Sequence, residues 1–210
     1  NPGPLNGEFL TTRSLDIRAV LDSLLNGTAG VFPELQFDES RIGMFGHSYG
    51  AVTTGRVLQD DSRVKAGVAI AAPIENPMIP GVSVESQTKP LLYLVATEDN
   101  SITEVGNFLL RQNYENHPAP AWKVEVTDAG HWSFSEICGL VEMFQPGCGQ
   151  GIRQTNPFAE VTYIDNGLAR TIARDYVLAF FQHTLQGSSE AAAFLAGPSP
   201  HSAAEVVYHP

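Results

Sequence analysis

The spacing of apolar side chains divides the chain into a short list of elements. Leu15, Ile17, Val20, Leu21, Leu24 and Leu25 recur every three or four positions, with Thr12 before them as a capping residue, and predict an amphipathic helix ending near Gly27. An apolar run over 41–45 leads into a Gly-rich turn and then a helical stretch over 50–58 that stops before Asp60 and Asp61. The runs 66–72 and 91–96 are short, end in turn residues and do not alternate with polar positions. Strands of that kind are covered on both faces, as in parallel sheets flanked by helices. A helical pattern over 103–113 and a fourth apolar run over 122–127 complete a βαβ repeat, so the predicted class is α/β.

The second half is less regular. Residues 128–162 form a long stretch without clear periodicity that holds both cysteines, and its centre, 136–160, is read as a substrate-side loop. A helix is predicted over 166–185, with Leu168, Ile172, Tyr176, Leu178, Phe180 and Phe181 available to cover the sheet. In the tail, 187–210, Ser188 caps a short Ala-rich helix over 190–195, and Pro198, Pro200 and Pro210 suggest an extended end. The whole of 1–210 is read as one domain.

Charge and composition narrow the functional classes. A net charge of −11 opposes phosphate backbones and anionic lipid surfaces, so neither nucleic acid nor a membrane surface is expected as a partner. No apolar run approaches the roughly 20 residues of a membrane span. The start, Asn1-Pro2-Gly3-Pro4-Leu5, lacks a basic and apolar leader, which predicts a soluble chain from which any leader has been removed. Cys138 and Cys148 have no His or Cys companions at metal-ligand spacing, so no metal is expected and no cofactor is called for. A local disulfide is the better reading and two free buried thiols the alternative. The first favours a secreted or extracytoplasmic location.

The chemistry gathers at three places. Gly46-His47-Ser48-Tyr49-Gly50 fits the G-x-S-x-G pattern, in which a serine sits on a tight strand-to-helix turn, and here an apolar strand precedes it and a helix-compatible Ala51-Val52-Thr53-Thr54 follows. A serine hydroxyl is a weak nucleophile and needs a base, itself oriented by a third group. Of six histidines, His131 follows the fourth strand in Asp128-Ala129-Gly130-His131, on the sheet edge that also holds Ser48. His47 lies inside the elbow and is read as pointing away; His117, His183, His201 and His209 are read as surface or capping residues. For the acid, Asp99 directly follows the third strand and gives the chain order Ser, Asp, His, with Glu75 after the second strand as its rival. The backbone N–H of Tyr49, at a helix start, is the expected oxyanion donor. Trp132 and Phe134, with Tyr49, are expected to form an apolar wall for substrate.

Gly46 to Gly50, Ala96 to Asp99 and Gly130-His131-Trp132-Ser133-Phe134 together resemble the dienelactone hydrolase and platelet-activating-factor acetylhydrolase-like branch of the α/β-hydrolases. Arg13 and Asp16 in the first helix and the closing Ala179-Phe180-Phe181 with Leu185 are similar to that branch, and related polyester-degrading esterases share these parts. Dienelactone hydrolases proper carry a cysteine nucleophile where this chain has Ser48. The resemblance therefore implies ester hydrolysis through an acyl-enzyme, on small or medium acyl, lipid or polyester substrates. An amide or peptide hydrolase with the same triad, or an inactive binding protein of the same fold, are the competing readings.

The resemblance also implies about eight strands, several of them before the elbow, whereas one helix precedes residue 41 here. The N-terminal strands of the fold are thus expected to be absent from this chain. The loop that normally supplies a second oxyanion donor is expected to be absent with them. A second polypeptide carrying that half, left by cleavage of a precursor, is the expected partner beside a small-molecule ester; a proteolytic or truncated fragment is the alternative.

Overall fold

The structure is a computed structural model and describes residues 5–28, 30 and 35–210. The Gly/Pro-rich start read from residues 1–4 lies outside the described residues. Four parallel strands, β1 (Ile42–His47), β2 (Val64–Ile70), β3 (Leu91–Ala96) and β4 (Ala121–Val126), lie side by side in chain order, and β7 (Ala204–His209) closes the sheet antiparallel to β4. Helices α1 (Gly7–Leu25), α2 (Tyr49–Asp60) and α3 (Thr103–Glu115) cover one face, and α4 (Asn166–Gln186) and α5 (Ser189–Ala196) the other. The chain is therefore α/β, with a mostly parallel central sheet flanked by helices.

Strand β3 shows why the apolar runs do not alternate. Leu91, Tyr93 and Val95 face the α1–α3 layer, Leu92, Leu94 and Ala96 face the α4–α5 layer, and all six are wholly buried. On the second face Trp122 is the centre of an aromatic group, edge-on to Phe180 at 5.5 Å and stacked on Tyr208 of β7 at 4.6 Å. No helix among the described residues is long and apolar enough to cross a membrane.

Three elements depart from the sequence expectation. Helix α1 begins at Gly7 rather than after Thr12, because Asn6 Oδ1 accepts from Phe9 N at 2.8 Å while Thr12 Oγ1 bonds back to the Glu8 carbonyl within the helix. The stretch 136–160 is not irregular throughout: it contains an antiparallel hairpin, β5 (Gln150–Arg153) and β6 (Asn156–Thr162). Most of that hairpin faces solvent, so it leaves no apolar alternation to read. The tail ends as expected in extended backbone, but that backbone is the sheet strand β7.

The elbow strand β1 pairs with β2 alone, so among the described residues its other edge is open. Phe45 on β1 is 64% exposed. The Cys138–Cys148 disulfide is formed. Closing so short a loop stabilises by about 3 kcal/mol in the chain-entropy account.

Phe180 is wholly buried at the sheet–α4 contact. Phe180→Ala is expected to lower the unfolding free energy by about 3–5 kcal/mol, through lost burial and a residual cavity. Urea denaturation followed by circular dichroism measures it; a loss under 1 kcal/mol would mean that the α4 layer repacks freely.

Candidate active site

The loops after β1, β3 and β4 meet at the C-terminal edge of the sheet and carry Ser48, Asp99 and His131. Four non-glycine residues among those described have positive φ, namely Ser48, Ala71, Thr103 and Asp128; all follow the C-terminal ends of strands, Thr103 as the first residue of α3. Ser48 has φ 57° and ψ −125°, a conformation that costs about 1–3 kcal/mol and persists where the surroundings fix it. They do so on the inner side: Ser48 N donates to Ile70 O at 2.9 Å and Ser48 O accepts from Ala51 N at 2.8 Å. The turn is tight enough that a Cβ at position 46 would collide with the Gly50 carbonyl, which explains the first glycine of the motif.

Asp99 is wholly buried and its carboxylate is fully engaged. Oδ1 accepts from Ser101 N at 2.9 Å and Ile102 N at 3.1 Å, and Oδ2 lies 2.7 Å from His131 Nδ1. A carboxylate at that distance accepts a hydrogen bond from Nδ1–H, which keeps the proton on Nδ1 and leaves Nε2 of the neutral ring as an acceptor. The rival Glu75 is turned elsewhere, its Oε2 accepting from Val84 N at 2.6 Å beside a different cleft.

The elbow is tied to the histidine loop by the neighbour of Ser48. His47 Nε2 lies 2.7 Å from the His131 carbonyl, and the two imidazoles are 4.7 Å apart. His47, read from the sequence as pointing away from its neighbour Ser48, packs under the histidine loop. Burial away from water, and secondly the repulsion a proton on His47 would meet from the neighbouring His131 imidazole, lower the His47 imidazole from 6.5 to about 4. It is the neutral Nε2–H that donates to the His131 carbonyl.

Tyr49 opens α2, so its N–H is among those left without an intrahelical acceptor, beside the nucleophile. Its side chain fastens α1 to α2: the hydroxyl donates to Asn6 O at 2.9 Å and Arg13 lies over the ring at 5.1 Å. A cleft of about 360 Å³ runs from Ser48 between Tyr49, Val52, Ile79, Ile102 and Leu109. The other two expected wall residues are not in it. Trp132 packs between His47 and Phe144, with ring centroids 5.0 and 4.5 Å away, and Phe134 packs against the α4 core. The reason is the turn that carries them: Ser133, wholly buried, accepts from Gly130 N and donates to Gly147 O, drawing both rings inward. Among the described residues no cluster of His, Cys, Asp or Glu could hold a metal.

No protein-family model matches the chain, and no curated protein does. Among solved structures the chain is similar to a ferulic acid esterase from Streptomyces cinnamoneus, with a TM-score of 0.67 and 26% identity. The fold is hydrolase-like. The match covers 97% of this chain and 56% of the esterase, so the chain spans little more than half the length of that protein. The likeness supports the α/β-hydrolase superfamily. It does not reach the dienelactone hydrolase and platelet-activating-factor acetylhydrolase-like branch, which rests on the motifs alone.

Because the folded state disfavours the charged form of His47, the unfolded chain takes up that proton first. The associated stability is present above about pH 6.5 and is lost as pH falls toward 4, by at most ~1.4 kcal/mol per unit. His47→Gln, which keeps a donor for the His131 carbonyl, is expected to flatten this decline. Denaturant titrations of both proteins at pH 7 and pH 5 test it, and parallel curves would remove His47 as a source.

Proposed function

We propose that this chain is the catalytic part of a serine carboxylic ester hydrolase that works through an acyl-enzyme. The observation that carries the reading is the 2.7 Å contact between buried Asp99 and His131 on the same sheet edge as the strained Ser48 turn. Ser48 Oγ attacks the ester carbonyl while His131 Nε2 takes its proton, and Asp99 holds the ring and its developing charge. The Tyr49 N–H stabilises the oxyanion. As the tetrahedral adduct collapses, His131 returns the proton to the leaving alcohol. Water then attacks the acyl-enzyme with His131 again as base, releasing the acid and restoring the Ser48 hydroxyl.

The reacting atoms in this cycle change only by proton and acyl transfer, so no cofactor takes part. Ser48 Oγ makes no capping bond and is free to swing toward His131 when substrate fills the site. The cleft beside it is lined mainly by Tyr49, Val52, Ile79, Ile102 and Leu109, which suits an uncharged apolar or aromatic acyl group better than an anionic one. The ferulic acid esterase likeness points the same way. Lipid and polyester acyl groups fit the same chemistry. The disulfide supports a secreted or extracytoplasmic site of action.

The reading includes a further strand-bearing segment against β1, as a separate polypeptide or part of a longer one. The open edge of β1 and the exposed Phe45 support it, as does the need for a second oxyanion donor. A missing donor costs roughly 10²–10³ in kcat.

In the native protein, Ser48→Ala and His131→Ala are expected to lower turnover of an aryl ester by roughly 10³-fold or more, and a fluorophosphonate should label the wild type at Ser48 alone. Asp99→Asn should cost nearly as much, and Glu75→Gln less than twofold. Ester turnover surviving in Ser48→Ala would sink the assignment, and a larger loss in Glu75→Gln than in Asp99→Asn would exchange the acids. The 210 residues alone should turn over ester at least 10²-fold more slowly than with the segment; an active, monodisperse preparation of them alone would remove the need for it.

A further inference from the structure

Asp99 is flanked by two residues that grip the same hairpin. On one side Glu98, 8% exposed, accepts from Arg153 Nη1 at 2.6 Å and from Gln154 N at 2.9 Å. On the other, Asn100 Nδ2 donates to Ile152 O at 2.7 Å and to the Tyr163 hydroxyl at 2.9 Å. These partners belong to β5 or adjoin the β5–β6 hairpin. The same guanidinium nitrogen reaches Asp128 Oδ1 at 3.1 Å, in the turn that leads to His131, and Asp128 N donates to Thr97 Oγ1. A third tie joins the two loops directly, from Glu98 N to Ala129 O at 2.8 Å.

The segment that leads into the hairpin, residues 146–148, is fastened to the far side of His131. Trp132 N donates to Pro146 O at 2.9 Å, and Ser133 Oγ donates to Gly147 O at 2.7 Å. The next residue, Cys148, is bonded covalently to Cys138 at the end of the histidine loop. Asp99 and His131 are thus both set by one element that touches neither Ser48 nor the cleft.

We propose that the hairpin, together with the disulfide-closed loop that leads into it, is the positioning element for the acid and the base, and that Arg153, acting through Glu98 and Asp128, is its principal positioning residue. The inference rests on Asp99 and His131 being the catalytic pair. Arg153 is 40% exposed, a setting in which an ion pair adds little to global stability, so its consequence is geometric. A loop that lets Asp99 drift by a fraction of an ångström lowers the rate without weakening substrate binding, because the hairpin does not line the cleft.

The test compares native wild type with Arg153→Ala and Arg153→Lys. It reads kcat and KM on an aryl ester, thermal unfolding, and the low-field proton resonance of His131 Nδ1–H. Arg153→Ala is expected to lower kcat about tenfold with KM within twofold, and to broaden or shift the resonance. Arg153→Lys is expected to restore both, because a single nitrogen makes both carboxylate contacts. A folded Arg153→Ala protein with wild-type kcat and resonance would overturn the proposal, as would one whose only change is a lower Tm. If Arg153→Ala does not fold, Glu98→Gln, which keeps the acceptor for Gln154 N–H, is judged by the same two readouts. A wild type without ester turnover would refute the hydrolase reading instead, while the resonance would still report whether the hairpin holds the pair.

Discussion

The constraint from which the active edge follows is the complete removal of the Asp99 carboxylate from water. An ionised carboxylate without partners in such a place would cost several kcal/mol, so each oxygen must find a donor. Two are backbone N–H groups of the residues just beyond it, a local turn that the Asp99-Asn100-Ser101-Ile102 sequence forms by itself. The third is His131, more than thirty residues away, and it can be brought there only by closing the β4 loop over the β3 loop. The hairpin, the disulfide and the Ser133 turn are the means of that closure. The local bonds orient the carboxylate, and the distant one selects the fold of the histidine loop.

Strain and support are arranged together on this edge. The parallel ladder continues past the strand ends, with Ser48 N on Ile70 O, Ala71 N on Leu94 O and Thr97 N on Val126 O. Each loop is thereby referenced to the next strand over, and the positive φ values of Ser48, Ala71 and Asp128 are held by bonds from outside each residue. His47 adds the same reference at side-chain level by bonding the backbone of the base itself. Ser48 and His131 thereby share one backbone scaffold.

The sequence made the parallel strands legible because burial on both faces leaves unbroken apolar runs such as 91–96, and made the elbow legible because Gly46 and Gly50 mark a turn that few others need. Asp99 and His131 could be named from their places after strands. What stayed hidden was polar and long-range. No motif or spacing ties Glu98 to Arg153, and the exposed hairpin that carries Arg153 has no period to detect. Trp132 and Phe134 illustrate the opposite error: aromatic residues next to a catalytic histidine invite a substrate role, yet the Ser133–Gly147 bond turns them into the protein. The cleft is built from Ile79, Ile102 and Leu109, which no motif marks because ordinary core residues have the same composition.

The open edge of β1 acquires a defined meaning from these contacts. A nucleophile on an edge strand would be poorly held if its support came from the open side, where Phe45 faces solvent. Every bond that fixes Ser48 and its neighbour comes instead from within the described chain: from β2 through Ile70, from α2 through Ala51, and from the histidine loop through His47. These contacts hold Ser48, and through His47 the His131 loop, from the β2 side of the elbow. On the proposed hydrolase reading, the open side is where cover for the exposed Phe45 and a second hydrogen bond for the oxyanion would come from. On the proposed reading the two contributions separate in space, with Ser48 and His131 held by this chain and oxyanion stabilisation shared between Tyr49 N–H and the proposed segment against β1.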